Sequence, residues 1–167
     1  SAALGQRAGE YQLKAAFLFR LTSFVEWPAN SFSSPDQPFR ICLVGGDPFG
    51  AAIRALESRR YRDRPIRIEA IGRDGDLAGC QIAYFSGPAP EPFAAVARGE
   101  SGLPILTVSS EDGFAASGGV IRFVSDSDRL RMEINAVTAR SARLRISAKL
   151  FEVASQVIDA RGEGTRS

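Results

Sequence analysis

Four short apolar segments, Phe39 to Val44, Ile66 to Ile71, Gln81 to Ser86 and Ile105 to Val108, punctuate the middle of the chain. They are too short for buried helices and rich in Ile, Val and Phe, so they read as strands, the continuous ones buried on both faces. The residues between them exceed what a two-residue hairpin needs, and Pro48 to Ser58 and Pro90 to Ala97 have helical patterns. Strands joined in that way cross over and lie parallel, which confines the chain to an α/β architecture.

Both flanks fit this scheme. From Glu10 to Glu26, Leu13, Phe17, Leu21 and Phe24 recur at helical spacing, Ala16 and Val25 widen the stripe, and Pro28 forbids continuation. The stretch from Asn30 to Pro38 is a Ser- and Pro-rich loop. Near the other end, VIRFV from Val120 and RLRMEI from Arg129 flank SDSD and alternate apolar with polar, as a hairpin half open to water does. The sheet is expected to end in this antiparallel pair. Asn135 to Leu144 is helical in pattern, and Ile146, Leu150, Val153 and Val157 form a further stripe of period near 3.6. With no linker long enough to split it, the chain is expected to form one domain over residues 10–160, with flexible ends at 1–9 and 161–167. The simplest solution is a three-layer sandwich: a mostly parallel sheet, a C-terminal antiparallel hairpin, and flanking helices.

The first strand leads into GGDPFG, which invites three chemical readings. A phosphate-binding loop of the form G-x-x-x-x-G-K-[ST] needs a Lys for the phosphates and a hydroxyl for Mg²⁺. Gly45 and Gly50 have the spacing, but Ala51 and Ala52 follow them. The dinucleotide pattern G-x-G-x-x-G fails because Gly45 and Gly46 are adjacent. The likeness to the GGDEF cyclase signature is confined to four letters, and Pro48 stands where an acidic metal ligand belongs. A sharp strand exit is the reading that remains.

Composition excludes more. At 167 residues and 44% hydrophobic content the chain can bury a real core, and its formal charge of +2, with arginines scattered among acids, shows no nucleic-acid footprint. No apolar run approaches the ~18 residues of a membrane span, and KAAFLFRL is cut by Lys14 and Arg20. The sequence starts at Ser1 and its only methionine is Met132, as in a processed or trimmed chain, for which a signal peptide is one expected missing front. Histidine is absent, which removes the Ser-His-Asp triad, the Cys-His dyad and the commonest general acid/base. Two cysteines without histidine fall short of a structural zinc site. Cys42 and Cys80 either stay as buried thiols or, in an oxidising compartment, close a loop of about 37 residues worth about 3 to 4 kcal/mol.

The remaining polar features favour structure over catalysis. Asp74/Asp76 and Asp126/Asp128 sit in Gly- or Ser-rich stretches where carboxylates bond nearby backbone N–H groups. A receiver domain shares the alternating form, but where its phospho-accepting aspartate would follow QIAYF this chain has Ser86, Gly87 and Pro88. Trp27 either caps the core or anchors a binding edge. The open side of the hairpin, carrying Arg122, Arg129, Arg131 and Glu133, is suited to a protein partner, because guanidinium groups offer several donors in a fixed geometry.

Five segments, EYQLKAAFLFRLTSFVEWP, RICLVGGDPFG, LAGCQIAYFS, LPILTVSSEDGFAASGGVIRFV and LRMEINAVTARSARLRISAKLFEVA, resemble in order and spacing the YfiR family of small secreted bacterial domains over Glu10 to Ala154. The resemblance implies a periplasmic, non-enzymatic regulator without cofactor or metal, exported with a signal peptide and tending to dimerise. It implies binding to the periplasmic sensor region of an inner-membrane diguanylate cyclase, repression of cyclic di-GMP synthesis, and sequestration by an outer-membrane lipoprotein. Cys42 and Cys80 match the family's first cysteine pair, which favours their bridge; a second pair found in some members is missing, which argues against two-bridge redox control. Within the hairpin region, Arg131 and Glu133, with Phe114 and Ile121 as apolar anchors, are the candidate partner-binding residues. The rival reading is a periplasmic small-ligand or sensory-input module, with GGDPFG and Ser86 to Pro88 lining its pocket at the carboxyl ends of the strands.

Overall fold

The computed structural model describes the backbone of residues 2–159 and 162–165, and side chains of residues 5 and 7–159. In chain order the elements are α1 (Ala2–Phe24), β1 (Val25–Glu26), β2 (Phe39–Val44), α2 (Ala51–Arg54), β3 (Arg60–Tyr61), β4 (Arg64–Ile71), β5 (Ile82–Phe85) and α3 (Ala94–Ala97). There follow β6 (Leu106–Ser109), β7 (Ile121–Asp126), β8 (Arg129–Asn135), α4 (Ala136–Ser141), β9 (Arg145–Ile146), α5 (Ala148–Val153), β10 (Gln156–Asp159) and β11 (Gly162–Thr165).

Nine strands form one sheet in the order β11-β10-β8-β7-β6-β5-β2-β4-β3. The block β4-β2-β5-β6-β7 is parallel, and β7 pairs antiparallel with β8 in the hairpin. The architecture is therefore α/β, a mostly parallel sheet between two covered faces, as the apolar runs require. Side chains alternate between those faces. Phe39, Ile41 and Leu43 of β2, with Ile82 and Tyr84 of β5, join the larger core beneath α1, whereas Cys42, Val44, Ala83 and Phe85 join a smaller core with Phe93, Ala97 and Phe114. Every residue of β5 and β6 is buried, the condition that makes a central parallel strand read as a continuous apolar run. Trp27 belongs to the core: its ring meets Phe39 and Tyr61 edge-on, and Nε1 donates to the Gln81 carbonyl at 2.9 Å.

Five expectations change in detail. Helix α1 begins at Ala2, so from there on the stretch set apart as 1–9 is continuous with it, while Ser1 lies outside the described residues. The segment Pro90 to Ala97 is helical only from Ala94, because the prolines at 90 and 92 lack the N–H groups a longer helix would use. The apolar stripe from Ile146 to Val157 is not one helix: α5 stops at Val153, Ala154 turns extended, and Val157 enters β10. Consequently the hairpin does not end the sheet. β10 lies parallel to β8, with Val157 beside Ile134, and the Ser155 N–H donates to the Met132 carbonyl at 2.8 Å. Of the tail 161–167, residues 162–165 pair antiparallel with β10, and 161, 166 and 167 lie outside the described residues.

Candidate functional site

At β7 and β8 the sheet presents one buried and one polar face. Ile121 and Phe123 of β7, with Met132 and Ile134 of β8, point into the larger core. The alternate residues face the other way, and the register sets Arg122 opposite Glu133, Val124 opposite Arg131 and Asp126 opposite Arg129. Arg122 is the centre of this face. Its guanidinium donates through Nη1 to Glu133 Oε2 at 3.1 Å and through Nη2 to Asp112 Oδ1 at 2.7 Å, while Nε is buried without a hydrogen-bond partner among the described residues. Asp112, on the loop after β6, holds its carboxylate fully in solvent. Two residues along β8, Arg131 Nε lies 3.1 Å from Asp126 Oδ2, both half exposed.

The candidate residues therefore separate into two groups. Arg131 and Glu133 share the polar face, adjacent to each other along β8 and each engaged by an opposite charge. The apolar pair needs correction: Ile121 is 0% exposed on the core side of β7, and Phe114 is 9% exposed in the smaller core. Alternation turns Ile121 away from Arg122. The Phe114 ring is pressed over Gly119, where a Cβ would come within 2.1 Å of it, and lies 6.0 Å from the Phe85 ring. Ile121 offers no surface to a partner as folded, and Phe114 only an edge. Asp112 carries no signal in the sequence, because the conformation of the loop after β6 is what brings it to Arg122.

Cys42 and Cys80 form a disulfide, with an S–S distance of 2.02 Å and Cα atoms 6.1 Å apart. It ties the middle of β2 to the residue before the Gln81 lead-in to β5, and both cysteines are buried in the smaller core. The GGDPFG loop spends its polar groups on itself. Asp47 Oδ1 accepts from the N–H groups of Phe49 and Gly50 at 2.9 and 3.1 Å. Gly45 has φ +89°, and a Cβ there would lie 2.5 Å from the Ser86 carbonyl oxygen, so the glycine lets the exits of β2 and β5 touch.

At the carboxyl ends of β5 and β6, an open cleft of about 490 Å³ is lined by Tyr11, Tyr84, Ser86, Gly87, Ser110 and Glu111, among others. Burial pushes the Tyr84 phenol up to about 12, and its oxygen lies 3.3 Å from Ser110 Oγ. GGDPFG itself is not part of this lining, whereas Ser86 and Gly87 are. Among the described residues no three His, Cys, Asp or Glu side chains are grouped to hold a metal ion, and no helix is long and apolar enough to cross a membrane.

The described residues thus place a face of paired charges on the hairpin and a disulfide in the smaller core of an α/β domain. The particular family follows from comparison: the YfiR/HmsC-like family matches residues 11–155, and the chain belongs to it. That family is one of regulatory domains. Among curated proteins nothing matches the chain.

Proposed function

We propose that this chain is a non-catalytic periplasmic regulator that binds the periplasmic sensor region of an inner-membrane diguanylate cyclase and holds the enzyme inactive, keeping cyclic di-GMP low. Membership of the YfiR/HmsC-like family over residues 11–155 carries this reading. The polar face of the β7–β8 hairpin is the proposed contact surface, with Arg131 and Glu133 as contact residues and Arg122 and Asp112 extending the charge pattern beside Glu133. Alternating charges on a rigid sheet select a partner of complementary pattern, because a wrongly placed like charge is penalised.

Repression then requires no chemistry. A regulator that bound both states of the sensor equally would shift nothing, and a tenfold shift toward the inactive state needs about 1.4 kcal/mol of differential affinity. In this scheme the chain acts as a homodimer, and an outer-membrane lipoprotein lowers repression by competing for it. The test is the double variant Arg131→Glu, Glu133→Lys, assayed by pull-down with the cyclase's periplasmic region and by cellular cyclic di-GMP. The expected outcome is at least tenfold weaker capture and a rise in cyclic di-GMP with unchanged circular dichroism. Undiminished repression would remove the hairpin face from the scheme.

The cleft at the carboxyl ends of β5 and β6 favours a second reading, a small-ligand or sensory-input module, since open α/β sheets place ligands beyond the carboxyl ends of their strands. A thermal-shift screen distinguishes it: a ligand that binds only the native state raises the melting temperature by mass action.

A further inference from the structure

A different surface, on the opposite side of the sheet from the hairpin's polar face, has features that the regulatory reading does not use. A groove of about 330 Å³ runs between the second half of α1, the start of β8 and α5. Leu21, Met132 and Leu150 form its floor and are buried, Phe17 and Phe24 are half buried along α1, and Val153 on the rim is 68% exposed. Helical spacing explains the rim: Val153 follows Lys149 by four residues, so both project from one face of α5. That face leaves a large apolar side chain in water although the core lies directly beneath it.

The charge of the groove has one sign. Arg20 and Lys149 are the charged residues of its lining, one on each helical wall. Among the described residues neither has a carboxylate at ion-pair distance, and the Arg20 guanidinium instead lies over the Phe17 ring at 5.5 Å. An apolar trough with unpaired cations at its mouth is complementary to a molecule that is apolar along its length and anionic at one end.

Size and sign decide between occupants. A second copy docked groove to groove about a two-fold axis would set Arg20 and Lys149 against their own equivalents. A partner helix is about 10 Å across with its side chains, and the trough extends along only about two turns of α1, from Phe17 to Phe24. Its volume sits instead at the lower end of small-ligand pockets, which begin near about 300 Å³.

We propose that this groove binds a single-chain anionic amphiphile, a free carboxylate with an unbranched acyl chain. The chain lies over Leu21, Met132 and Leu150, and the carboxylate is held by Arg20 and Lys149. This site is separate from the hairpin face and does not depend on the cyclase reading.

The sequence supplies its own reporter, because Met132 is the only methionine and lies in the groove floor. The full chain, labelled with ¹³C at the methionine methyl, is titrated with dodecanoate below its micellar threshold. The expected result is a saturable shift of the single methyl resonance, weakened at least tenfold by Lys149→Glu and by Val153→Glu. Both substitutions fall on exposed positions, and the resonance without ligand reports whether the fold is retained. Dodecyltrimethylammonium, of equal chain length and opposite charge, is expected to bind at least tenfold more weakly. Absence of a saturable shift, equal affinity for the cation, or unchanged affinity in Lys149→Glu would overturn the proposal. So would co-flotation with phosphatidylglycerol vesicles in the absence of any response to dodecanoate, which would assign the surface to membrane contact.

Discussion

Replacing Cys42 and Cys80 together by alanine tests how much of the stability comes from one crosslink. The bridge joins residues 38 apart, and the chain-entropy relation assigns a closed loop of that length about 4 kcal/mol, through restriction of the unfolded ensemble. Both cysteines are buried in the smaller core, so trimming each to alanine adds a void worth about 1 kcal/mol. Against a total of about 5–15 kcal/mol for an ordinary domain, the loss is a large fraction of what holds the fold. The assay is urea unfolding followed by the fluorescence of Trp27, the only tryptophan, whose indole N–H is bonded to the residue next to Cys80. With a urea slope of about 2 kcal/mol per molar, the combined loss of about 6 kcal/mol should lower the midpoint by about 3 M. Reductant should destabilise the native protein nearly as much and leave the double variant unchanged. A loss below about 1 kcal/mol at equal slope would refute the loop-closure reasoning, and an equal effect of reductant on both proteins would refute the bridge.

Two further outcomes follow from the interior. For Tyr84 the folded-state phenol titrates near about 12 against 10.0 for the ordinary group, chiefly because it is buried. Below pH 10 it adds no pH dependence; between about 10 and 12 the unfolded chain loses its proton first, and stability falls by about 1.4 kcal/mol per pH unit. Urea titrations at pH 9 and 11 should therefore show a smaller alkaline loss for Tyr84→Phe than for the native protein, and equal losses would contradict this. Gly119→Ala places a Cβ 2.1 Å from the Phe114 ring and should cost about 1–3 kcal/mol, read as a lowered melting temperature; an unchanged value would mean that the ring moves freely aside.

The central sheet was legible because burial on both faces leaves a direct imprint, as in FRICLV and IAYF. The hairpin was legible from its alternation. Strand β10 was not, since Val157 falls in phase with Leu150 and Val153 at helical spacing. What overrides that local pattern is distant: β8 has an outer edge whose carbonyls, Met132 among them, need donors, and the chain supplies them by turning extended at Ala154. The candidate site divides in the same way. Arg131 and Glu133 could be placed on the polar face by counting from Met132. The same parity on β7 turns Ile121 to the core side, whereas the burial of Phe114 depends on the bare glycine backbone at Gly119, which leaves no periodic signal. The charge cluster through Asp112 rests on a loop conformation that no periodicity encodes.

Gln81 gives the bridge its mechanical meaning. Its side-chain amide accepts from the Arg40 N–H and donates to the carbonyls of Ser31 and Gly79, and its backbone oxygen receives both the Trp27 indole and the Leu106 N–H. One residue thus fastens the loop before β2, the lead-in to β5 and the neighbouring strand β6, immediately beside a covalent link. If Cys42 and Cys80 are reduced, this polar node still pins the start of β5, and the freed slack is confined to the segment between β4 and Cys80. Reduction then behaves as the opening of a latch on a closed frame: amide exchange should quicken across residues 72–79 while the hairpin, with its paired charges, keeps its shape.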